Sequence, residues 1–180
     1  MNTEHKNFFL IGGVLRSLGC SYTFFKEDVR DYLINKYPPN STVLDVGAGG
    51  GTYLNLLGDY FIMDAVEAYE PTAKYLEGKY HKVFNEDIKD FKYSFYDIII
   101  FGDVLEHLEV SEAQKVLGYA LSRSNEILVA VPYLYKQGEV DGNKYEIHKQ
   151  DDLTPSNVLE RYPYLRFLFG NDKYGYYVTK

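Results

Sequence analysis

The sequence predicts an α/β protein, a mostly parallel sheet with helices on both faces and one antiparallel strand supplied by a C-terminal hairpin. Three observations predict it. Short apolar runs alternate with segments of helical period, the mark of consecutive βα units. Phe95-Tyr96-Asp97-Ile98-Ile99-Ile100-Phe101 is apolar nearly throughout, as a strand covered on both faces must be. Val43-Leu44-Asp45-Val46 breaks into Gly47, Gly49, Gly50 and Gly51, where backbone N–H groups and a helix start can approach a ligand because no Cβ intervenes.

Taken in order, residues 1–22 read as a polar tail and a short helical segment, a candidate flap over a single domain formed by residues 23–180. Phe8–Leu15 followed by Cys20 has the outline of a lipoprotein leader. Arg16 interrupts the apolar run, Glu4 stands where a leader is basic, and the run is far shorter than the ~20 residues that span a bilayer, so a segment folded over the domain is preferred. From Thr23, a candidate N-cap, Phe25, Val29, Tyr32 and Leu33 recur at helical spacing until Pro38-Pro39 stops the helix. Strand Thr42–Val46 follows, then the glycine turn and a helix through Leu57 ending at Gly58. Phe61–Val66 is a second strand, closed by Glu67; Glu70-Pro71 opens a helix to about Tyr80. Lys82–Asn85 is a short third strand, and Phe95–Phe101 the fourth, ending at Gly102-Asp103. A helical stretch Val104–Leu108 precedes Ser111-Glu112-Ala113-Gln114, read as the capping box of a helix through Leu121. Glu126–Val131 is the fifth strand, stopped by Pro132. The long loop from Tyr133 to Asp151 is of a length that is usually functional or disordered. Thr154-Pro155 caps a helix to Arg161, and Leu165–Phe169 with Tyr174–Thr179 form the hairpin.

Composition narrows the partners. With 180 residues the chain suffices to bury roughly 70% of its unfolded surface. Hydrophobic residues at 46% and charged residues at 25% are ordinary globular values, which argues against disorder or a coiled coil. Nineteen Tyr and eleven Phe exceed what a core of this size needs, so some rings belong to a pocket or to the surface. A net charge of −7 without a Lys/Arg track argues against direct nucleic-acid binding. The lone Cys20 excludes an intramolecular disulfide and fits a reducing, cytoplasmic setting.

Ligands of open α/β sheets bind outside the carboxyl ends of the strands, so those ends carry the chemistry. The first ends in Asp45 and the turn Gly47, Gly49, Gly51, whose alternate spacing departs from the dinucleotide pattern and lacks the Lys-Ser/Thr of a phosphate loop. The second ends in Glu67, about twenty residues beyond Gly47, where a carboxylate can accept both hydroxyls of a ribose. The third ends in Asn85-Glu86-Asp87-Ile88, either an adenine contact with Ile88 against the ring or a polar turn before a helix. There is no Gly-x-Ser-x-Gly elbow, and Cys20 has no neighbouring base.

Val43 to Gly51 resembles the first motif of class I S-adenosylmethionine-dependent methyltransferases, and residues 25–135 follow that family's pattern. The resemblance implies a Rossmann-like seven-stranded sheet and S-adenosylmethionine as cofactor, with S-adenosylhomocysteine as product. It implies cofactor contacts from Asp45, Gly47, Ala48, Gly49 and Gly51, from Glu67 and Ala68 at the ribose, and from Asp87 and Ile88 at the adenine. Phe101–Leu108 is similar to the segment that packs beside the methionine part in small-molecule methyltransferases, which adds Gly102 and Asp103. The Asn/Asp-Pro-Pro-aromatic motif of base amino-methyltransferases is absent; the nearest echo, Val131-Pro132-Tyr133, follows the wrong strand.

For the acceptor, His107 and His148 are the general-base candidates, although a lone His on a helix is more often a packed or capping residue. Tyr133, Tyr135 and Tyr145 are candidates for gripping it, since the loop after the fifth strand faces the cofactor mouth in this fold. Asp103, Glu106, His107 and His148 are possible ligand types, but their spacing is no metal motif and no metal is expected. The reaction expected is displacement at the sulfonium methyl by an O, N or C nucleophile of a small-molecule or glycan-type acceptor. A protein or RNA methyltransferase that depends on a partner, and a cofactor-binding module that transfers nothing, are the alternatives. No membrane span is expected, and the oligomeric state is left open.

Overall fold

The computed structural model describes residues 8–11, 14–17 and 24–180. Strands β1 (Phe8–Ile11) and β2 (Val14–Ser17) come first, antiparallel, with Phe8 opposite Ser17 and Ile11 opposite Val14. The helical reading of this segment is thereby corrected to a hairpin. Its cause lies in the residue types, two short runs rich in aliphatic and aromatic side chains of the kind that pair as strands.

Helix α1 (Lys26–Lys36) buries Val29 and Leu33. Thr23, expected as its cap, lies outside the described residues; the position before the helix is Phe25, left-handed at φ 57° and without a side-chain cap. Then follow β3 (Thr42–Val46), α2 (Thr52–Leu57), β4 (Ile62–Val66), α3 (Glu70–Leu76) and β5 (Lys82–Phe84). Helix α3 stops short of Tyr80 because Glu77 turns away from helical geometry and Gly78 takes φ 75°. No helix joins β5 to β6 (Tyr96–Gly102); the connection is an irregular segment that buries Phe91 and Tyr93 in the core.

The stretch expected to be helical from Val104 to Leu108 is a single 3₁₀ turn, Leu105–His107. Helix α4 (Val110–Leu121) starts earlier than the Ser111 box implied: Glu109 is its N-cap, and its N–H donates to Glu112 Oε2 at 3.1 Å. Strand β7 (Ser124–Pro132), a 3₁₀ turn at Lys144–Glu146, α5 (Pro155–Arg161), β8 (Leu165–Gly170) and β9 (Tyr174–Thr179) complete the chain. Thr154 does cap α5, its Oγ1 accepting from Asn157 N–H at 3.2 Å.

The seven-stranded sheet has the order β5-β4-β3-β6-β7-β9-β8. Strands β3 to β7 pair in parallel, and β9 is antiparallel to both β7 and β8, so the sheet has the expected mostly parallel form with one reversed strand. Side chains of β6 alternate between its faces. Ile98 and Ile100 pack with Leu33, Leu57 and Leu76 of α1, α2 and α3, while Ile99 and Phe101 pack with Leu117 and Val158 of α4 and α5. Helices therefore cover both faces. The chain starts in the middle with β3 and winds outward in both directions, so the order reverses between β3 and β6, and that switch point leaves a crevice at the carboxyl ends of the strands. Among the described residues no helix is long and apolar enough to cross a membrane.

Candidate active site

A cavity of about 510 Å³ opens at that switch point, within the ~300–1,000 Å³ of small-molecule sites. One wall is the glycine turn. Gly47 (φ 62°) donates to Val66 O at 2.8 Å, and a Cβ there would stand 2.8 Å from Val104 Cγ2. Gly49 (φ 50°) donates to Glu67 Oε2 at 3.1 Å, while Tyr69 N–H donates to Glu67 Oε1 at 2.9 Å, tying the end of β4 to the turn. Burial pushes the Glu67 carboxyl up, and the backbone amides of Tyr69, Gly49 and Ala68 pull it back. Asn85 donates to Glu67 O at 2.8 Å and to Ala68 O at 3.3 Å, which locks the third strand end to the second. Asp87 turns back on Lys89, whose N–H donates to Asp87 Oδ1 at 3.0 Å.

Below the turn Asp45 is 1% exposed and accepts from Tyr80 Oη at 2.5 Å. Burial pushes its carboxyl up to about 7 against the pull of Tyr80 and Lys26. At the end of β6, Gly102 leaves space that the Tyr53 ring fills; a Cβ there would overlap that ring. Asp103 adopts φ 58°, donates its N–H to Ala130 O at 3.0 Å and accepts from Tyr174 Oη at 2.6 Å.

The opposite wall comes from the loop after β7, through Tyr135, Gln137 and Asn143 to Lys149. Gln150, 3% exposed, clamps the end of that loop against the 3₁₀ turn: its Nε2 donates to Leu105 O at 2.7 Å and Leu108 O at 3.0 Å, and its Oε1 accepts from Tyr162 Oη at 3.0 Å. Lys149 and Gln150 N–H both donate to Glu106 O, at 2.7 and 3.0 Å. The clamp brings His148 to His107, ring centroids 4.6 Å apart and edge to face. Burial, assisted by His148, pulls His107 down to about 4, and burial lowers His148 as well, so both imidazoles are neutral near pH 7. Glu106, 1% exposed, is pushed well up by burial and by Asp103 and Glu146.

Of the site residues expected from sequence, Asp45, Gly47, Ala48, Gly49, Glu67, Ala68, Asp87, Ile88, Gly102, Asp103, His107, His148, Tyr135 and Tyr145 all line this one cavity. Two do not. Gly51 serves as the left-handed N-cap of α2 at φ 79°, its open side toward Leu76 and Tyr80, so it shapes the turn from behind. Tyr133 is 7% exposed in the core: its hydroxyl bonds that of Tyr177 in a space left by the missing side chain of Gly175, so it faces away from the cavity. Sequence reading missed Gln150, Tyr53, Tyr174 and Asn85 in their supporting roles, and Glu146, which lines the cavity and accepts from Gln137 Nε2 at 3.1 Å. The excess of Tyr predicts rings in a pocket or at the surface; Tyr135 and Tyr145 do line the cavity, whereas Tyr174, Tyr176 and Tyr177 of β9 are wholly buried in the core.

Strand order, switch-point cavity and glycine turn are those of a Rossmann-like α/β protein with its ligand site at the switch point. Residues 22–125 match the family described as methyltransferase domain, and the chain belongs to that family, in agreement with the class I S-adenosylmethionine-dependent methyltransferase motifs. No curated protein matches it significantly. Solved structures with the same fold include a magnesium protoporphyrin IX methyltransferase from Synechocystis PCC 6803 with bound S-adenosylmethionine (15% identity, TM-score 0.57, 86% of this chain and 78% of that one). A S-adenosylmethionine-dependent methyltransferase from Archaeoglobus fulgidus is 19% identical (TM-score 0.63, 86% and 92% covered). The 1,6-didemethyltoxoflavin-N1-methyltransferase of Burkholderia thailandensis, with its substrate and S-adenosylhomocysteine bound, is 12% identical (TM-score 0.63, 87% and 77% covered).

Proposed function

We propose that the protein binds S-adenosylmethionine along the glycine turn, Glu67 and Asp87, and transfers its methyl group to a small-molecule or glycan-type acceptor held against the Tyr133–Asp151 loop. The observation that carries this reading is that four strand-end signals far apart in sequence line one cavity. Glu67 is poised for two ribose hydroxyls by two backbone amides, and Asp87 with Ile88 stands one strand further out, where an adenine would lie. Gly102 and Asp103 stand at the methionine end. When bound, the cofactor supplies a methyl already activated by a positive sulfur. The protein's share is alignment and exclusion of water, which can supply ~7–11 kcal/mol. The inner wall gathers the carboxyls of Asp45, Glu67, Asp103, Glu106 and Glu146, acceptor-rich surroundings that suit a sulfonium cation better than a polyanionic acceptor. His148 and His107, neutral near pH 7, are the groups able to take a proton from an acceptor hydroxyl.

Residues 23–180 are read as one domain with residues 1–22 as a flap over it, and the lone Cys20 supports a cytoplasmic setting. Calorimetry with S-adenosylmethionine and S-adenosylhomocysteine tests the cofactor, the expected result being stoichiometric binding of both. Binding of neither overturns the reading. Methyl transfer to small hydroxylated acceptors without an added protein separates this function from a partner-dependent enzyme or a non-catalytic module.

A further inference from the structure

The acceptor wall holds a group of side chains that cofactor binding does not use. Glu106, His107 and His148 each offer one ligand atom, and these atoms lie within 4.8 Å of one another. Both oxygens of Glu106 are buried and find no hydrogen-bond partner among the described residues, a costly state for a carboxyl unless something else satisfies it. The two imidazoles are already oriented. His107 Nδ1 lies 3.4 Å from Ile147 O and His148 Nδ1 lies 2.7 Å from Tyr135 O. A carbonyl only accepts, so each Nδ1 carries the proton and each Nε2 keeps its lone pair. That is the arrangement by which backbone carbonyls orient metal-bound histidines.

We propose that Glu106, His107 and His148 bind one divalent cation of borderline character, such as Mn²⁺, Fe²⁺ or Zn²⁺, at the acceptor end of the cavity. Two imidazoles and one carboxylate suit such ions better than Mg²⁺ or Ca²⁺, which favour all-oxygen shells. Ligand atoms ~2.1 Å from an ion stand roughly 3–3.5 Å apart, so small side-chain rotations close the observed spread. Three protein ligands leave coordination positions open toward the cavity. What would occupy them rests on the methyltransferase reading: one or two oxygens of the acceptor, hydroxyl or enol. With an ion bound, the imidazole lone pairs are taken and no longer serve as bases; the ion lowers the hydroxyl's affinity for its proton, which passes to solvent, and the oxygen then forms its bond to the methyl carbon as the carbon–sulfur pair returns to sulfur, leaving a neutral thioether. The acceptor class is thereby narrowed to oxygen nucleophiles able to chelate.

Chelator-stripped full-length protein, titrated with MnCl₂ under electron paramagnetic resonance and with ZnCl₂ against a chromophoric competitor, tests the site without any turnover. Calorimetry with S-adenosylhomocysteine runs on the same preparations. Expected is one bound ion per chain, weakened at least ~10-fold in Glu106→Gln and in His148→Asn, with S-adenosylhomocysteine affinity unchanged. If Glu106→Gln does not fold, His148→Asn decides, since it lies in a loop. Absence of stoichiometric ion binding in the wild type, or binding that both variants retain, overturns the site even where S-adenosylhomocysteine still binds and the methyltransferase reading stands. Ion binding without S-adenosylhomocysteine binding supports the site and overturns the functional reading instead.

Discussion

Glu67 and Glu106 are both carboxyls withdrawn from solvent on walls of the same cavity, yet Glu67 accepts from two backbone N–H groups while Glu106 has no partner among the described residues. The contrast extends to their surroundings. Around Glu67 the chain is ordered by strand ends: Gly49, Asn85 and Tyr80 fix the turn and the acids through several separate short bonds that tie neighbouring strand ends together. Around Glu106 the order comes from one long-range clamp, Gln150, that draws a loop against a single 3₁₀ turn. The first wall is preorganised with its polar groups satisfied; the second is preorganised with a carboxyl left over. Preorganised partners suit a ligand of fixed shape, and leftover capacity marks where something else must be held.

The largest expected effect breaks the claim that the glycine wall is stable as built. Asp45 is held up at about 7, above its ordinary range near 4, so the folded protein keeps a proton that the unfolded chain has lost between those values. Stability from this group is fully present below about pH 4 and declines as pH rises through about 7, by up to about 4 kcal/mol. Asp45→Asn retains an acceptor for Tyr80 and removes the titration. Its thermal midpoint relative to wild type is expected to rise from about pH 5 to about pH 8; parallel curves would show that Asp45 ionises normally.

Gly102→Ala comes next. A Cβ overlapping the Tyr53 ring forces that ring or β6 to move, at a typical cost of 1–3 kcal/mol for overpacking, and weakens S-adenosylmethionine binding with it. Unchanged melting and affinity would mean that Tyr53 swings away freely. Glu67→Ala leaves the fold in place but removes a carboxylate from the ribose region, with a loss of about 10- to 100-fold in cofactor affinity by calorimetry, the range of a charge-assisted hydrogen bond. Equal affinity would sever Glu67 from the cofactor.

How far the sequence disclosed this follows the same division. Asp45, Glu67, Asp87 and Gly102 were readable because each sits at a fixed place relative to an apolar run, and β strands put their carboxyl ends on one edge of the sheet. The turn-former role of Gly51 was not, since glycines that line a ligand and glycines that only permit φ > 0 look alike in sequence. On the acceptor wall His107 and His148 were noticed, and were grouped with Asp103 and Glu106 only by ligand type, because their meeting depends on Gln150 reaching Leu105 and Leu108, a contact across more than forty residues that no local period encodes. The N-terminal hairpin was missed because its apolar runs are too short for period to separate strand from helix.

The smallest expected effects separate two tyrosines that sequence alone treated alike. Tyr145 lines the cavity and is 39% exposed, whereas Tyr133 is buried against Tyr177. Tyr145→Ala removes contact area from one end of the acceptor space, so the acceptor KM should rise a few-fold, about 0.5–1 kcal/mol, with melting and cofactor affinity unchanged. Tyr133→Phe leaves the Tyr177 hydroxyl without its buried partner, so the melting temperature should fall by the equivalent of about 1 kcal/mol with KM untouched. Steady-state kinetics and melts on the pair read both axes at once. If Tyr133→Phe instead moved KM while Tyr145→Ala moved only stability, the acceptor would lie on the β9 side of Pro132, and the loop would lose its assigned role.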